Sequence, residues 1–246
     1  MGRRDRRGGP AMSQRPDREQ VLDWVAEAAG RFHPGSHPED VLVWAAEKVG
    51  VRRLAVATSF ADTVLTHLAA RALPGVDVLF VDTGYHFVET IGLRDAVADV
   101  YDVTLRTLAP VASVAEQDAA EGPELYARNP DKCCALRKVA PFSAALQEYS
   151  AWASGLRRDD HNSRADVELV TLDPRRDLLK INPLAHWTQE QVDAYTEEHS
   201  LLVNPLVELG YRSVGCAPCT APVAEGADPR SGRWAGFGKL ECGMHS

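Results

Sequence analysis

The cysteines are the residues of this chain whose spacing most directly suggests chemistry. Of five cysteines in 246 residues, Cys133 and Cys134 are adjacent, Cys216 and Cys219 form a C-x-x-C motif, and Cys242 stands alone near the C-terminus. This spacing favours four metal ligands and one remaining thiol. The alternative is that the cysteines bind nothing and are buried as small apolar residues.

The kind of metal centre is indicated by the two cysteine pairs. A C-x-x-C turn directs both of its thiolates the same way, which suits zinc and an iron–sulfur cluster equally. The adjacent side chains of Cys133 and Cys134 tend to diverge, so two neighbouring ligands need a large or multi-atom centre. The adjacent pair therefore favours an iron–sulfur cluster over a single zinc ion.

Cys242 is a candidate nucleophile. It lies in a Glu-Cys-Gly-Met-His sequence close to the chain end, where a structural cysteine has little purpose. Four basic residues are near it in sequence, namely Arg230, Arg233, Lys239 and His245. Cations beside a thiol lower its pKa and raise the fraction that is thiolate. The alternative is an exposed, incidental thiol on a frayed terminus.

Other basic residues gather where predicted elements begin and end. Arg137 and Lys138 follow the cysteine pair, Arg157 and Arg158 follow a predicted strand, and Arg164 lies just beyond. Guanidinium groups at strand ends suit phosphate or sulfate, which they bind through paired hydrogen bonds. Arginine pairs are usually solvated surface, so it is their repetition near the cysteines that indicates an anion site.

The segment 58–63 is a candidate phosphate-binding turn. It joins a predicted strand to a predicted helix, where free backbone N–H groups and the helix dipole favour an anion. It is not a Walker loop, because the G-x-x-x-x-G-K-[ST] pattern is absent. An ordinary Ser, Thr or Asp helix cap explains the same residues at least as well.

Strands and helices are predicted to alternate along most of the chain. The predicted strands are 53–57, 77–82, 104–108, 151–154, 168–172 and 178–181. The predicted helices are 18–32, 38–49, 64–73, 86–100, 134–149 and 188–199. This alternation is typical of an α/β fold with a mostly parallel sheet flanked by helices. Ligands of such sheets bind beyond the carboxyl ends of the strands.

The composition changes towards both ends of the chain. Residues 1–20 are rich in Arg, Gly and Pro and are predicted to be a disordered extension, with Met12 as a second candidate start. Residues 21–205 are predicted to form the α/β domain. Residues 206–246 are rich in Gly, Pro, Cys and Arg and lack periodicity, so we expect an irregular segment organised by a site rather than by a core.

Charge and hydropathy exclude several classes of function. The net charge of −8 argues against general binding to nucleic acid or to a membrane surface, since both need a basic face. There is no apolar run of about 18 residues to span a membrane. With no secretion signal in view, we expect a cytoplasmic protein, in which reduced cysteines serve metal binding or catalysis rather than disulfides.

Taken together, these residues resemble the assimilatory sulfonucleotide reductases, and within them the adenylyl-sulfate (APS) reductases that hold a 4Fe-4S cluster. The resemblance covers residues 54–246. It rests on the motifs Thr58-Ser-Phe60, Asp82-Thr-Gly-Tyr85, Cys133-Cys-x-x-Arg-Lys138, Gly155-Leu-Arg-Arg158, Asn182-Pro-Leu184, Ser213-x-Gly-Cys-x-x-Cys-Thr220, Arg230-x-Gly-Arg-Trp234 and Lys239-x-Glu-Cys-Gly-x-His245.

The resemblance implies a PP-loop (adenine nucleotide alpha-hydrolase-like) fold, in which an irregular C-terminal segment closes over the site. It implies that Cys133, Cys134, Cys216 and Cys219 hold the cluster. It also implies that Cys242 is the nucleophile and that Lys138, Arg157, Arg230, Arg233 and His245 lie near the phosphosulfate, while Ser59 and Asp82 belong to nucleotide-binding turns. Lys138 and His245 are expected to take part in catalysis with Cys242.

The implied activity is the thioredoxin-dependent reduction of adenosine 5'-phosphosulfate to sulfite and AMP through an S-sulfocysteine on Cys242, by a homo-oligomer. Two departures from the family pattern stand out. Met244 replaces the usual leucine, which conserves volume, and the turn at 58–63 lacks the double glycine of ATP-using relatives. The second departure disfavours the main rival, a zinc-stabilised PP-loop enzyme that activates ATP. A third hypothesis is a cluster protein without enzymatic activity. The candidate nucleophile Cys242 argues against it.

Overall fold

The computed structural model describes residues 15–245, which build one six-stranded sheet. The strands are β1 (Leu54–Thr58), β2 (Val76–Val81), β3 (Val103–Leu108), β4 (Ala151–Ser154), β5 (Val170–Asp173) and β6 (Leu178–Ile181). Their order is β3-β2-β1-β4-β6-β5, and every neighbouring pair is parallel except β5 and β6. The predicted α/β class with a mostly parallel sheet is confirmed.

The order of the strands fixes where a ligand can bind. From β1 the chain moves outward to β2 and β3, then returns to add β4 on the other side of β1. The loops that follow β1 and β4 therefore leave the sheet in opposite directions and open a crevice between them. The crevice lies at the carboxyl ends of these two strands.

Helices cover both faces of the sheet. They are α1 (Arg18–Arg31), α2 (Pro38–Val49), α3 (Val64–Ala72), α4 (Val88–Val100), α5 (Val114–Glu121), α6 (Leu125–Arg128), α7 (Pro130–Cys134), α8 (Ala140–Ala145) and α9 (Gln189–Glu198). None of these helices, which are all those of the described residues, is both long and apolar enough to cross a membrane.

Alternate residues of each central strand enter two separate apolar cores. In β1, Leu54 and Val56 join the larger core under helices α1 to α4, and Ala55 and Ala57 join a smaller core with Phe142 of α8. This alternation follows from the two-residue repeat of a strand. Because α8 is short, it leaves part of the second face of the sheet for the C-terminal segment.

The N-terminal boundary needs a correction. Helix α1 begins at Arg18, as predicted for the helix at 18–32, so residues 18–20 belong to the helix and not to the disordered extension expected over 1–20. The side chain of Asp17 accepts a hydrogen bond from the backbone N–H of Gln20 and caps the helix. Residues 1–14, including Met12, lie outside the described residues.

The long helix predicted at 134–149 is interrupted. Helix α7 ends at Cys134, a π-helical turn spans Ala135–Val139, and α8 begins at Ala140. Pro141 has no backbone N–H to give to the preceding turn, which favours a local departure from the α-helical pattern. The wide turn lies directly between the cysteine pair and α8.

Candidate active site

The four cysteines of the predicted metal centre line one cavity. Cys133 and Cys134 come from the end of α7, and Cys216 and Cys219 come from the C-terminal segment. The cavity is completed by Thr83, Tyr85, Tyr126, Pro130, Arg137, Lys138 and Trp234. The structure therefore brings together two cysteine pairs that are more than 80 residues apart in sequence.

The C-x-x-C turn is held against the loop that follows β2. The backbone N–H of Ala217 donates to the carbonyl of Tyr85 at 2.7 Å, and Cys216 forms an isolated antiparallel bridge with His86. The hydroxyl of Thr83 lies 3.2 Å from the sulfur of Cys216. These contacts fix the second cysteine pair on the edge of the sheet where the ligand crevice opens.

Burial favours the neutral thiol form of Cys133, Cys134 and Cys219 in this cavity. None of the five cysteines is in a disulfide. Burial raises the pKa of Cys133 to about 11 and that of Cys134 to about 12, and it also raises the pKa of Cys219. Such thiols become thiolates when they bind a metal, which replaces their protons.

The arrangement fits a multi-atom centre better than a single ion. Within residues 15–245, no three His, Cys, Asp or Glu side chains converge closely enough to hold one metal ion. In a cubane cluster each thiolate binds its own iron, so the four sulfur atoms need to surround a cavity rather than meet at a point. The four cysteines line one cavity and give it a purely sulfur donor set.

Arg137, which was predicted to belong to a group of basic residues near the cysteines, organises the cavity wall. Its side chain is 4% exposed and donates to the carbonyl of Thr83, the carbonyl of Ala112 and the side chain of Gln117. It also lies over the ring of Tyr85, 5.3 Å from the centroid. The motif after the cysteine pair contains this residue, but its inward direction follows from the π-helical turn.

Lys138 lies between the cysteine cavity and the nucleophile. It lines the cavity. Burial would lower the pKa of its ammonium group, but the thiolate forms of Cys216 and Cys242 outweigh burial and raise that pKa. Lys138 is therefore a fixed positive charge shared by the four-cysteine cavity and Cys242.

Residues 239–245 carry Cys242 and pack through Met244 against the smaller core, and we call them the tail. Within the tail, Cys242 is partly buried. The carbonyl of Met244 accepts a hydrogen bond from Arg176 at 3.2 Å, and that of His245 accepts one from Lys180 at 3.2 Å. Gly243 has φ +84°, a conformation that a residue with a side chain rarely adopts.

His245 packs on the sheet itself. Its ring stacks on Trp152 of β4, with centroids 5.6 Å apart and planes 24° from parallel. Burial, followed by the positive charges of Lys180 and nearby arginines, holds the pKa of His245 well below its usual value. The imidazole is therefore neutral at pH 7. Trp152 and Lys180 are contacts of the tail that sequence reasoning missed, since both read as ordinary strand residues.

Three arginines predicted to bind the phosphosulfate are partly buried in different segments. Arg157 pairs with Asp160 at 2.8 Å, Arg230 donates to the carbonyl of Leu240 at 2.6 Å, and Arg233 lies 4.5 Å over the ring of Trp234. Arg230 and Arg233 act electrostatically on each other. Gly215 lets the Arg233 guanidinium approach the backbone, because a Cβ atom at that position would lie 2.3 Å from it and would displace it.

Two of these arginines have buried N–H groups without a partner. Among the described residues, Nη1 of Arg157 and Nε of Arg233 are buried and have no hydrogen-bond acceptor. A buried donor that lacks an acceptor is costly, by about 1–3 kcal/mol. Both donors therefore favour the entry of an anion.

The predicted nucleotide-binding residues follow the first two strands. Ser59 is exposed in the turn after β1. This turn is held by Asn204, whose side-chain amide donates to the carbonyl of Phe60 at 2.9 Å. Asp82 follows β2, accepts from the backbone N–H of Gly84 at 2.9 Å, and directly precedes the cavity residue Thr83. Both residues lie at the carboxyl-end edge of the sheet.

Comparisons with known proteins agree with this architecture. The phosphoadenosine phosphosulfate reductase domain family matches residues 53–222. A solved phosphoadenylyl-sulfate (PAPS) reductase from Candida auris is similar in structure, with a TM-score of 0.66, 29% identity, and coverage of 87% of this chain and 100% of that one. An FMN adenylyltransferase from Candida glabrata shares the fold alone, at 12% identity and a TM-score of 0.56, over 89% of this chain and 72% of that one.

Curated relatives extend the similarity beyond residue 222. A protein from Streptomyces coelicolor named adenosine 5'-phosphosulfate reductase is 56% identical over 226 residues, which is 92% of this chain and 95% of the relative. One of the same name from Mycobacterium bovis is 57% identical over 191 residues, covering 78% and 75% of the two chains. The expected family membership is confirmed: the chain belongs to the phosphoadenosine phosphosulfate reductase domain family, an oxidoreductase family.

Proposed function

We propose that this protein reduces adenosine 5'-phosphosulfate to sulfite and AMP in sulfate assimilation, in the cytoplasm, with thioredoxin as the reductant. The observation that supports it most is the position of Cys242. This partly buried thiol and Arg233 both act electrostatically on Lys138, and Nε of Arg233 is buried and lacks an acceptor among the described residues. This is the setting that a thiolate needs to attack an anionic sulfur compound.

The chemistry is a displacement at sulfur followed by thiol exchange. The thiolate of Cys242 attacks the sulfo sulfur, an S–S bond forms, the S–O bond to the phosphate breaks, and AMP leaves with the bonding electrons. A thiolate of the reductant then attacks Cys242 Sγ and releases sulfite. The second thiol of the reductant then attacks the mixed disulfide and restores Cys242. The reductant is left as a disulfide, and the oxidation of its two thiols supplies the two electrons.

The protein groups around Cys242 have separate tasks in this reaction. Lys138 and Arg233 offset negative charge on the sulfo group and the leaving phosphate, and they are fixed in place before the substrate arrives. Arg157 and Arg230 orient the phosphosulfate. Ser59 and Asp82 hold the nucleotide at the ends of β1 and β2.

A 4Fe-4S cluster is proposed for the four-cysteine cavity. Cys133, Cys134, Cys216 and Cys219 would hold it, one thiolate for each iron. When bound, the cluster contributes a redox-active, charged centre close to Lys138. The supporting observation is the all-sulfur donor set of the four cysteines that line the cavity.

The two parts of the chain divide the work in this proposal. Residues 21–205 form the PP-loop-like nucleotide-binding domain, and residues 206–246 supply half of the cluster ligands and the nucleophile. A homo-oligomer is expected from the family. The nucleophile's place near the chain end suits a group that meets a small nucleotide first and a protein reductant second.

The rival function, ATP activation by a zinc-containing PP-loop protein, has less support. Such an enzyme needs a glycine-rich loop after β1, and this chain has Thr58-Ser-Phe-Ala-Asp-Thr63. Phe60 adopts φ 53° there, so the turn reaches a left-handed conformation without a glycine and places a bulky buried ring beneath it.

The proposal is tested by trapping the intermediate. Incubation with adenosine 5'-phosphosulfate and no reductant should release one AMP per active site and add one sulfo group to the peptide that contains Cys242. Cys242→Ser should give neither product, because a serine hydroxyl is a far weaker nucleophile than a thiolate at neutral pH. Thioredoxin should then release sulfite from the adduct. An adduct on Cys133 or Cys219 would contradict the proposed roles of the cysteines.

A further inference from the structure

The loop after β4 reaches across to the tail through one ion pair. Arg164 donates from Nε and Nη2 to the two carboxylate oxygens of Glu241, at 2.8 and 3.1 Å. The two residues are 77 positions apart, and Glu241 directly precedes Cys242. A two-point pair of this kind fixes both the distance and the orientation of the segment that carries the carboxylate.

We infer that the Arg164–Glu241 pair is the latch that holds the tail closed, and thereby positions Cys242 for the first chemical step. This inference rests on the proposed function for its kinetic consequence but not for its structural one. Arg164 and Glu241 are positioning residues in this account, since they act through the backbone on the neighbouring cysteine.

The surroundings of the pair make it a strong contact. Only 13% of the Arg164 side chain and 27% of the Glu241 side chain are exposed, so solvent screens the pair weakly. Burial would raise the pKa of Glu241, but Arg164 and Arg230 outweigh burial and lower it, so the carboxylate is charged. Arg164 is itself held by Asp160 at 2.7 Å.

A second arginine strengthens the latch from the tail side. Arg230 lies 3.2 Å from the carboxylate of Glu241, and it also donates to the carbonyl of Leu240 at 2.6 Å. Because Arg230 is a proposed ligand of the phosphosulfate, an incoming anion competes with Glu241 for it. Substrate and latch are therefore linked through one guanidinium group.

The other ion pair of the tail is weaker. Lys239 pairs with Asp131, whose side chain is 81% exposed, and exposed pairs contribute little to stability. The remaining tail contacts, at Met244 and His245, lie on the far side of Cys242. The Arg164–Glu241 pair is thus the charged contact adjacent to the nucleophile.

The latch should affect the rate at which the S-sulfocysteine forms but not the rate at which sulfite is released. A closed tail presents Cys242 to the bound nucleotide, whereas the reductant needs the thiol exposed. Loss of the latch should therefore slow formation of the S-sulfocysteine and leave its release unchanged or faster. A residue with a merely structural role would impair both steps together.

The test uses the cluster-loaded enzyme and two variants that remove opposite charges. Glu241→Gln and Arg164→Met should each raise the rate of Cys242 alkylation by iodoacetamide, read by peptide mass spectrometry without substrate, by about tenfold. The two changes have opposite local electrostatic effects, since loss of the Glu241 charge favours the Cys242 thiolate and loss of the Arg164 charge disfavours it. Only opening of the tail accelerates alkylation in both.

A double variant separates the latch from other roles of Arg164. If Arg164 acts through Glu241, the double variant should match the single variants within about twofold rather than multiply their effects. Glu225→Gln is the matched control, because Glu225 is an exposed glutamate of the C-terminal segment with no ion pair among the described residues, and it should behave as wild type. If Arg164→Met folds poorly, Arg164→Lys is used instead. This variant keeps the positive charge and loses the two-point contact with Glu241.

Single-turnover measurements test the effect of the latch on the rates of the two chemical steps. Adduct formation from adenosine 5'-phosphosulfate should slow by about tenfold in both variants, and sulfite release by a dithiol should stay within about twofold of wild type. Faster alkylation in Glu241→Gln combined with slower alkylation in Arg164→Met would overturn the latch, as would no change in either. If alkylation follows the expectation but no adduct ever forms, the latch stands and the proposed function fails.

Discussion

Cys242 owes its setting to groups outside its own segment. Lys138 comes from the π-helical turn, Arg164 from the loop after β4, and Lys180 from β6, and each of these cations lies near the tail or contacts it. A thiol with one adjacent glutamate would otherwise be a poor nucleophile, because a like charge raises its pKa. The reactivity of the cysteine is therefore a property of the closed fold rather than of the tail sequence.

His245 gives a pH dependence to the docking of the tail. Its pKa lies well below the ordinary value of 6.5 because of burial and of Lys180, so the folded state keeps the ring neutral while the unfolded state takes up a proton. The contribution of His245 to the free energy of unfolding is fully present above pH 6.5. It is lost as the pH falls below that value towards the pKa of His245 in the folded state.

We expect the melting temperature to fall more for wild type than for His245→Asn between about pH 7.5 and about pH 5.5. Asparagine at this position retains polarity but does not titrate. Thermal unfolding followed by circular dichroism at several pH values checks this expectation. Parallel curves for the two proteins would show that protonation of His245 does not oppose docking.

Sequence patterns identified individual site residues but not their contacts. The cysteine spacing and the Glu-Cys-Gly-Met-His sequence mark Cys242 directly. The contact of Glu241 with Arg164 spans 77 residues, and the stacking of His245 on Trp152 depends on which strand face the tail covers. Such contacts are set by tertiary packing, which no local spacing encodes.

At the scale of elements, the site is a junction of α7, the π-helical turn and the segment 216–219. An ideal α-helix turns each residue by the same angle, so the adjacent residues Cys133 and Cys134 diverge by a large fraction of a turn. The π-helical turn that follows widens the helix and directs Arg137 and Lys138 towards the same cavity. Irregular helical turns of this type are frequent at functional sites.

Changing one cysteine of each pair should test whether the two elements share one centre. Cys133→Ser and Cys219→Ser should each lose bound iron and the visible absorption of a cluster, because a cubane needs a ligand on every iron. Iron analysis with anaerobic visible spectroscopy makes the measurement, and wild type should hold about four irons per chain.

Cys242→Ser is the matched control for this experiment, and it should retain the iron of wild type. One zinc per chain in a colourless wild-type protein would contradict the cluster. Iron retained by Cys133→Ser would instead indicate that the vicinal pair supplies only one ligand.

The elements themselves were largely predictable. Strands β4 and β6 match their predicted bounds, because each is a short apolar run that is buried on both faces. Helix α5 was missed, since Gln117 is its only buried residue and an apolar stripe is absent. The capping box formed by Ser113 and Glu116 was a sequence signal that could have found it.

At the scale of the whole molecule, a chain of net charge −8 must bind an anion in a locally positive crevice. Many of the basic residues in this crevice form ion pairs with acidic residues. These pairs orient the guanidinium groups and balance most of their positive charge. Arg157 with Asp160, and Arg164 with Glu241, are examples. A nucleotide that also carries a 3'-phosphate would need a further basic group to bind that phosphate.

Three arginines in the loops after β4 and β5 are candidates for such a group, and each is either paired or distant. Arg158 pairs with Glu168 at 3.2 Å, and Arg164 holds Glu241. Arg175 lies in the turn between β5 and β6, at the amino end of β6, whereas ligands bind at the carboxyl ends of the parallel strands. A 3'-phosphate on the ribose would therefore compete with an existing ion pair at Arg158 or Arg164, and Arg175 lies at the opposite edge of the sheet.

We therefore expect kcat/KM to be at least about tenfold higher for adenosine 5'-phosphosulfate than for its 3'-phosphorylated relative, with thioredoxin as reductant. The extra phosphate carries about two negative charges, and leaving it unpaired beside Asp82 adds repulsion to a lost hydration shell. Parallel initial-rate measurements on the cluster-loaded enzyme give the ratio. A preference for the 3'-phosphorylated nucleotide would overturn the substrate assignment and would direct the search for a ribose-side cation to Arg94, which pairs with Asp82 at 3.5 Å.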